Sequence, residues 1–200
     1  IGRLIDLNQK ITGNIKFELT HARDQISWRM FFIPHSYPTL RNYKAGVAVD
    51  LLLAERTKPN AKVIQTAIRE RANQLISEKA LYEVLLVDQQ NRITEGSRSN
   101  VFFVKHGVFY TAPSAMVLVG ITRLKVFECL KKLHFSLVEE AIRVDQTDQF
   151  EAVFLTGTSP KILPVSKIGN QVFSVLNPFV LALIDEYNVM IDNYIKKEKR

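Results

Sequence analysis

Apolar and polar positions follow two rhythms along this chain. Asn14–Thr20 alternates, and Ser27–Ile33 is apolar and aromatic, so both stretches predict strands. Leu4–Thr12 reads as the end of a helix that Thr12-Gly13-Asn14 breaks. Pro34-His35-Ser36-Tyr37-Pro38 is a loop, and Tyr43–Leu53 is a third apolar strand. The polar, proline-bearing run from Glu55 to Asn60 is the best linker. From Val63 to Lys79 the period lengthens to that of a helix. Ile64, Ile68, Ala72, Leu75 and Ile76 share one face, and Arg69, Glu70, Arg71 and Glu78 share the other. Leu81–Val87 is a strand that turns at Asp88-Gln89-Gln90-Asn91. Asn100–Lys105 and Val108–Thr111 pair across His106-Gly107 as a hairpin. A helix over Thr122–Leu133 buries Val126, Phe127, Leu130 and Leu133. An apolar strand over Ala152–Thr156 runs into Gly157-Thr158-Ser159-Pro160. Short strands at Ile162–Val165 and Val172–Ser174 flank Gly169-Asn170. Pro178 then opens a last amphipathic helix. No internal repeat or low-complexity segment appears.

The segment from Ile93 to Leu130 carries the chemistry. It sets Glu95 on a Gly/Ser/Asn turn, follows with a two-stranded ribbon, and opens a helix at Gly120-Ile121-Thr122. A helix N-terminus has spare N–H donors and a positive dipole end, which suit a phosphate. An acid and a phosphate seat on one segment point to a ligand with both a basic ring nitrogen and a phosphate. Pyridoxal 5'-phosphate is such a molecule.

On these residues the chain resembles the fold-type IV (class IV) pyridoxal-phosphate enzymes: branched-chain aminotransferases, D-amino-acid aminotransferases and 4-amino-4-deoxychorismate lyases. The resemblance implies an α/β fold in two parts. Residues 1–55 would be the remnant of a small N-terminal α/β domain, and 56–200 a larger cofactor-binding domain with a pseudo-barrel of mixed strands. Lys62, in Asn60-Ala61-Lys62-Val63-Ile64-Gln65, matches the lysine that bonds the cofactor. Such a lysine must lose its proton, so its ordinary pKa of about 10.4 has to be depressed. Glu95 would pair with the ring nitrogen, while Gly96 and Asn100 shape the turn that aims it. Leu118 would pack on the ring face. Ile121, Thr122 and Thr158, with Ser159 beside it, would seat the phosphate. Arg29 occupies the place of a substrate-carboxylate arginine in some D-amino-acid aminotransferases. At the position of a cofactor-touching tyrosine of many branched-chain enzymes stands Ala67, and the family's phosphate arginine is not visible.

The resemblance further implies an amino acid and a 2-oxo acid as substrates and a homodimer as the assembly. The lyase reaction, elimination of pyruvate from aminodeoxychorismate, remains an alternative. A non-catalytic relative or a basic binding module is the alternative of another kind.

Composition narrows the field. With 46% hydrophobic and 24% charged residues, the 200-residue chain has a globular profile. No apolar run reaches the length of a membrane span. A single cysteine, Cys129, excludes an internal disulfide and makes a cytoplasmic setting the default. The net charge of +7 is dispersed, apart from the tail Lys196-Lys197-Glu198-Lys199-Arg200. No zinc-ligand spacing or nucleic-acid motif accompanies it, which argues against a nucleic-acid partner. The four histidines show no metal spacing. The chain begins at Ile1, partway through the small domain by the resemblance, and no secretion signal precedes it.

Overall fold

The computed structural model describes residues 1–9, 13–22, 25–35, 37–56 and 66–198. Contacts divide the chain into two compact units, Ile1–Tyr37 and Pro38–Arg200. The boundary expected near residue 55 falls inside the second unit, because the strand before it belongs to the large sheet.

The first unit holds helix α1 (Gly2–Asn8) and a hairpin of β1 (Asn14–Ala22) and β2 (Gln25–Ile33), paired from Asn14↔Ile33 to Ala22↔Gln25. Gln9 takes a left-handed conformation and ends α1.

The second unit begins with helix α2 (Leu40–Ala45), followed by β3 (Val47–Leu53). The sequence pattern predicts strand from Tyr43, but Thr39 and Asn42 form a reciprocal capping box that starts a helix there. Gly46, at φ +69°, then turns the chain into β3. Helix α3 (Thr66–Glu78) leads to β4 (Glu83–Val87), β5 (Ile93–Gly96), β6 (Asn100–Lys105) and β7 (Val108–Thr111). Then come α4 (Ile121–Lys132), β8 (Ser136–Glu139), β9 (Ala152–Gly157), β10 (Lys161–Ile168), β11 (Gln171–Val172) and α5 (Pro178–Glu198). The sheet runs β5-β4-β3-β10-β9-β6-β7-β8, with β11 on β10, and curls into a half-barrel. Its pairs are mostly antiparallel; β3 is parallel to both β4 and β10, and β7 to β8.

Both faces of the sheet are covered, and strand alternation sorts the side chains. Val101, Phe103, Val153 and Leu155 join Val49, Leu85 and Leu163 in one core. Their neighbours Phe102, Val104 and Phe154 point the other way, onto Val126 and Leu130 of α4 and Val180 and Leu183 of α5. Ala72 of α3 packs on Val84 and Leu86. Asn177 starts α5 by accepting the Phe179 and Val180 N–H groups, with Pro178 at the first helical position. Among the described residues no helix is long and apolar enough to cross a membrane, and none form a metal-ligating cluster. Cys129 is buried, and burial pushes its thiol up to about 11.

Candidate active site

A cavity of about 480 Å³ opens where β5, β9, the 117–120 loop and the first turns of α3 and α4 converge. Glu95, Leu118, Ile121, Thr122 and Thr158 all line it. Ser159 is half-buried in the turn after β9 and is not among the lining residues. Arg29 lies on β2 of the first unit, exposed and paired with Glu18. Lys62 lies outside the described residues, as does the stretch 57–65 around it.

Glu95 sits on β5 and not on the turn that follows, and its residue is 3% exposed. Both of its carboxylate oxygens are held. Arg56 Nε lies 3.1 Å from Oε1, and the Leu118 N–H donates to Oε2 at 3.2 Å. Burial lifts the Glu95 pKa to about 6, and the pull of Arg56 only partly counters it. The group is therefore mostly ionised at neutral pH, and it stays within reach of protonation.

The phosphate-like seat differs in one detail from the expected Thr cap. Helix α4 begins at Ile121 with Gly120 as its N-cap, and no side chain caps it. Thr122 lies inside the first turn, buried but lining the cavity. Among the described residues, the N-terminal N–H groups of α4 thus receive no side-chain cap from Gly120, an arrangement suited to anions. Asn100 shapes this wall: its Nδ2 donates to the Leu118 carbonyl at 2.9 Å. A Cβ on Gly120 would meet Asn100 Oδ1 at 2.7 Å, so the loop needs glycine there.

Four contributors were not evident from sequence. Arg56 closes the acidic side of the cavity, and Arg69 and Arg98 line it as well. Thr156, at the end of β9, also lines the cavity, and its hydroxyl is buried without a partner among the described residues. An orphaned buried hydroxyl facing a cavity marks a place where a polar ligand completes the site. In Thr156 the available signal was a polar residue closing the apolar run Ala152–Leu155. For Arg56 no local pattern offered one.

The curled mixed sheet matches the fold of class IV aminotransferases, and here it carries an acid and a helix N-terminus on one cavity. The chain belongs to that family: residues 3–168 match the model of amino-transferase class IV. It is 25% identical over 181 residues to D-alanine aminotransferase of Bacillus licheniformis, covering 84% of this chain and 63% of that enzyme. The chain therefore spans less than two thirds of that relative's length. A Thermotoga maritima structure, provisionally named a branched-chain amino acid aminotransferase, superposes with a TM-score of 0.76 at 27% identity. That match covers 90% of this chain and 66% of the other. A Legionella pneumophila structure, provisionally named 4-amino-4-deoxychorismate lyase, superposes at 0.78 with 20% identity, covering 93% and 73%, a likeness of fold alone.

Proposed function

We propose that this chain is the cofactor-binding part of a pyridoxal-phosphate-dependent aminotransferase that moves an amino group between an amino acid and a 2-oxo acid. The observation that carries this reading is the convergence of Glu95, Leu118, Thr122 and Thr158 on one cavity. The cofactor fits its donor set: a carboxylate for a ring nitrogen, an uncapped helix end for a phosphate, and an orphaned Thr156 hydroxyl. Pyridoxal phosphate supplies an electron-withdrawing ring that stabilises negative charge at the substrate Cα. Every other task falls to the chain. Glu95, ionised at neutral pH, keeps a proton on the ring nitrogen. The N–H groups at the start of α4, with the Thr122 and Thr158 hydroxyls, hold the phosphate, and Ser159 stands beside them. Leu118 packs on the ring face. Lys62, by the family resemblance, would be the residue that holds the cofactor and would move the proton at the substrate Cα as general base and acid. Arg29 is our candidate for the substrate carboxylate. Ile1–Tyr37 would be what this chain carries of the small domain, and the working assembly would be a cytoplasmic homodimer.

The test is direct. The full protein is mixed with pyridoxal phosphate, its visible absorbance is followed, and amino donors are screened with 2-oxoglutarate and pyruvate. A visible band with amino transfer supports the reading. A band with pyruvate release from aminodeoxychorismate makes the protein a lyase. Neither band nor transfer leaves a binding module and ends the proposal.

A further inference from the structure

One buried carboxylate has no part in that scheme. Glu83 opens β4, is 3% exposed, and has no ion-pair partner among the described residues. Arg69 acts on it through space without an ion-pair contact; burying a carboxylate without a directly bonded cation is costly, so it must collect donors. It collects four. Its Oε1 accepts from the Val84 N–H at 3.0 Å and the Ser97 hydroxyl at 2.7 Å. Its Oε2 accepts from the Arg98 N–H and the Ser99 hydroxyl, each at 3.1 Å. Three of the four come from the turn that follows Glu95. The backbone closes the same turn, through Gly96 N–H to Ser99 O at 2.7 Å and Ser97 N–H to Val84 O at 3.0 Å. The fit is tight enough that a Cβ on Gly96 would lie 2.1 Å from Ser99 Oγ and 3.2 Å from Glu83 Cγ.

The turn in turn anchors both partners of Glu95. The Ser97 carbonyl accepts from Arg56 Nη2 at 3.2 Å, and Arg56 Nε holds Glu95 Oε1. Asn100, the next residue past the turn, holds the Leu118 carbonyl, and the Leu118 N–H holds Glu95 Oε2. We propose that Glu83 is the positioning residue for Glu95, fixing the 97–99 turn from which both of the acid's partners are set. A neutral side chain could brace a turn at lower cost. A carboxylate accepts at two oxygens from several donors at once, and charge-assisted bonds are the stronger kind. The consequence for catalysis rests on the proposed function, whereas the geometry of the Glu83 contacts does not.

The experiment compares Glu83→Gln and Glu83→Ala in the full protein, each alone and on a Glu95→Gln background. Glutamine presents an NH2 group where the Arg98 N–H needs an acceptor, so it loses part of the brace while filling the same volume. The loss should fall on kcat at saturating cofactor, by about tenfold, the weight of one charge-assisted hydrogen bond, with the amino-donor KM unchanged. On the Glu95→Gln background the same substitution should change kcat by less than about twofold, since residues acting through one another are non-additive. Amide exchange in the apo-protein gives a readout independent of cofactor: Glu83→Gln should speed exchange at Leu118, a residue Glu83 does not touch. Equal effects on both backgrounds, or faster exchange confined to residues 97–99, would make Glu83 a local strap and overturn the inference. A wild-type protein that takes no cofactor sinks the functional reading instead, and the Leu118 exchange still decides this one. If Glu83→Ala does not fold, Glu83→Gln carries the test alone.

Discussion

Replacing Arg56 by alanine tests the electrostatics of the site at one point. Arg56 Nε lies 3.1 Å from Glu95 Oε1, and the two side chains are 14% and 4% exposed, so solvent screens the pair weakly. Burial lifts Glu95 to about 6 even with Arg56 in place. A cation at such range typically lowers a carboxylate by about 1–3 units, so its removal should carry Glu95 to about 7–9. At pH 7 the wild-type carboxyl is ionised in a ratio of about ten to one. In the variant the ionised share falls to between about a half and about one in a hundred. A protonated Glu95 cannot keep a pyridinium charged, so the acid limb of kcat/KM against pH should move upward by the same 1–3 units. Activity should return at alkaline pH. Stability carries the same sign. Because the folded pKa lies above the unfolded value of 4.5, the contribution of Glu95 is full below pH 4.5 and is lost as pH rises through about 6. The loss amounts to about 2 kcal/mol, at 1.36 kcal/mol per unit. In Arg56→Ala this loss should continue to higher pH, visible as a steeper fall of the apo-protein Tm between pH 6 and about 8. Arg56→Lys should restore part of both effects. An acid limb and a Tm profile that stay where the wild type has them would refute a coupling between these two groups.

Three further outcomes follow from the same cavity. Lys62→Ala should abolish the visible absorbance of the bound cofactor and all turnover, with the far-UV circular dichroism unchanged; turnover at the native rate would remove Lys62 from the mechanism. Glu95→Gln should keep the cofactor bound but lose on the order of a hundredfold in kcat, the scale of a positioned electrostatic group. Unchanged kinetics would return it to a structural role. Thr122→Ala combined with Thr158→Ala should weaken pyridoxal phosphate by about tenfold or more, and pyridoxal without the phosphate much less. Equal weakening of both ligands would move the phosphate seat elsewhere.

Much of this architecture is local, and local signals exposed it. The His106-Gly107 hairpin follows from a two-residue turn between two apolar strands, with both turn residues at positive φ. The start of α5 is written in Asn177-Pro178. Short elements fared worse, because few residues give little periodicity. The six-residue α2 runs straight into the apolar β3, and its signal is the Thr39/Asn42 cap and not hydrophobicity. The four residues of β5 are too few to separate strand from turn, so Glu95 read as a turn residue.

The candidate site divides along the same line. Glu95, Leu118, Ile121 and Thr122 stand on one contiguous segment whose order of acid, ribbon and helix start is visible in one dimension. Arg56, Glu83 and Thr156 reach the site, or its supports, only through the pairing of strands in the folded sheet. Glu83 meets the turn after Glu95 because β4 pairs with β5 at Leu85↔Gly96. Thr156 meets the cavity because β9 lies beside β6, with Asn100↔Thr156 in register. One of the three still left a trace. Along β9, Ala152 and Phe154 face the helices, and alternation gives Thr156 the same parity. A hydroxyl at the end of a core-facing row costs free energy unless something bonds it. Within the protein nothing described does. Polar residues that break an apolar row at a strand end are therefore worth reading as site candidates before any fold is known, because the row itself supplies no partner for them.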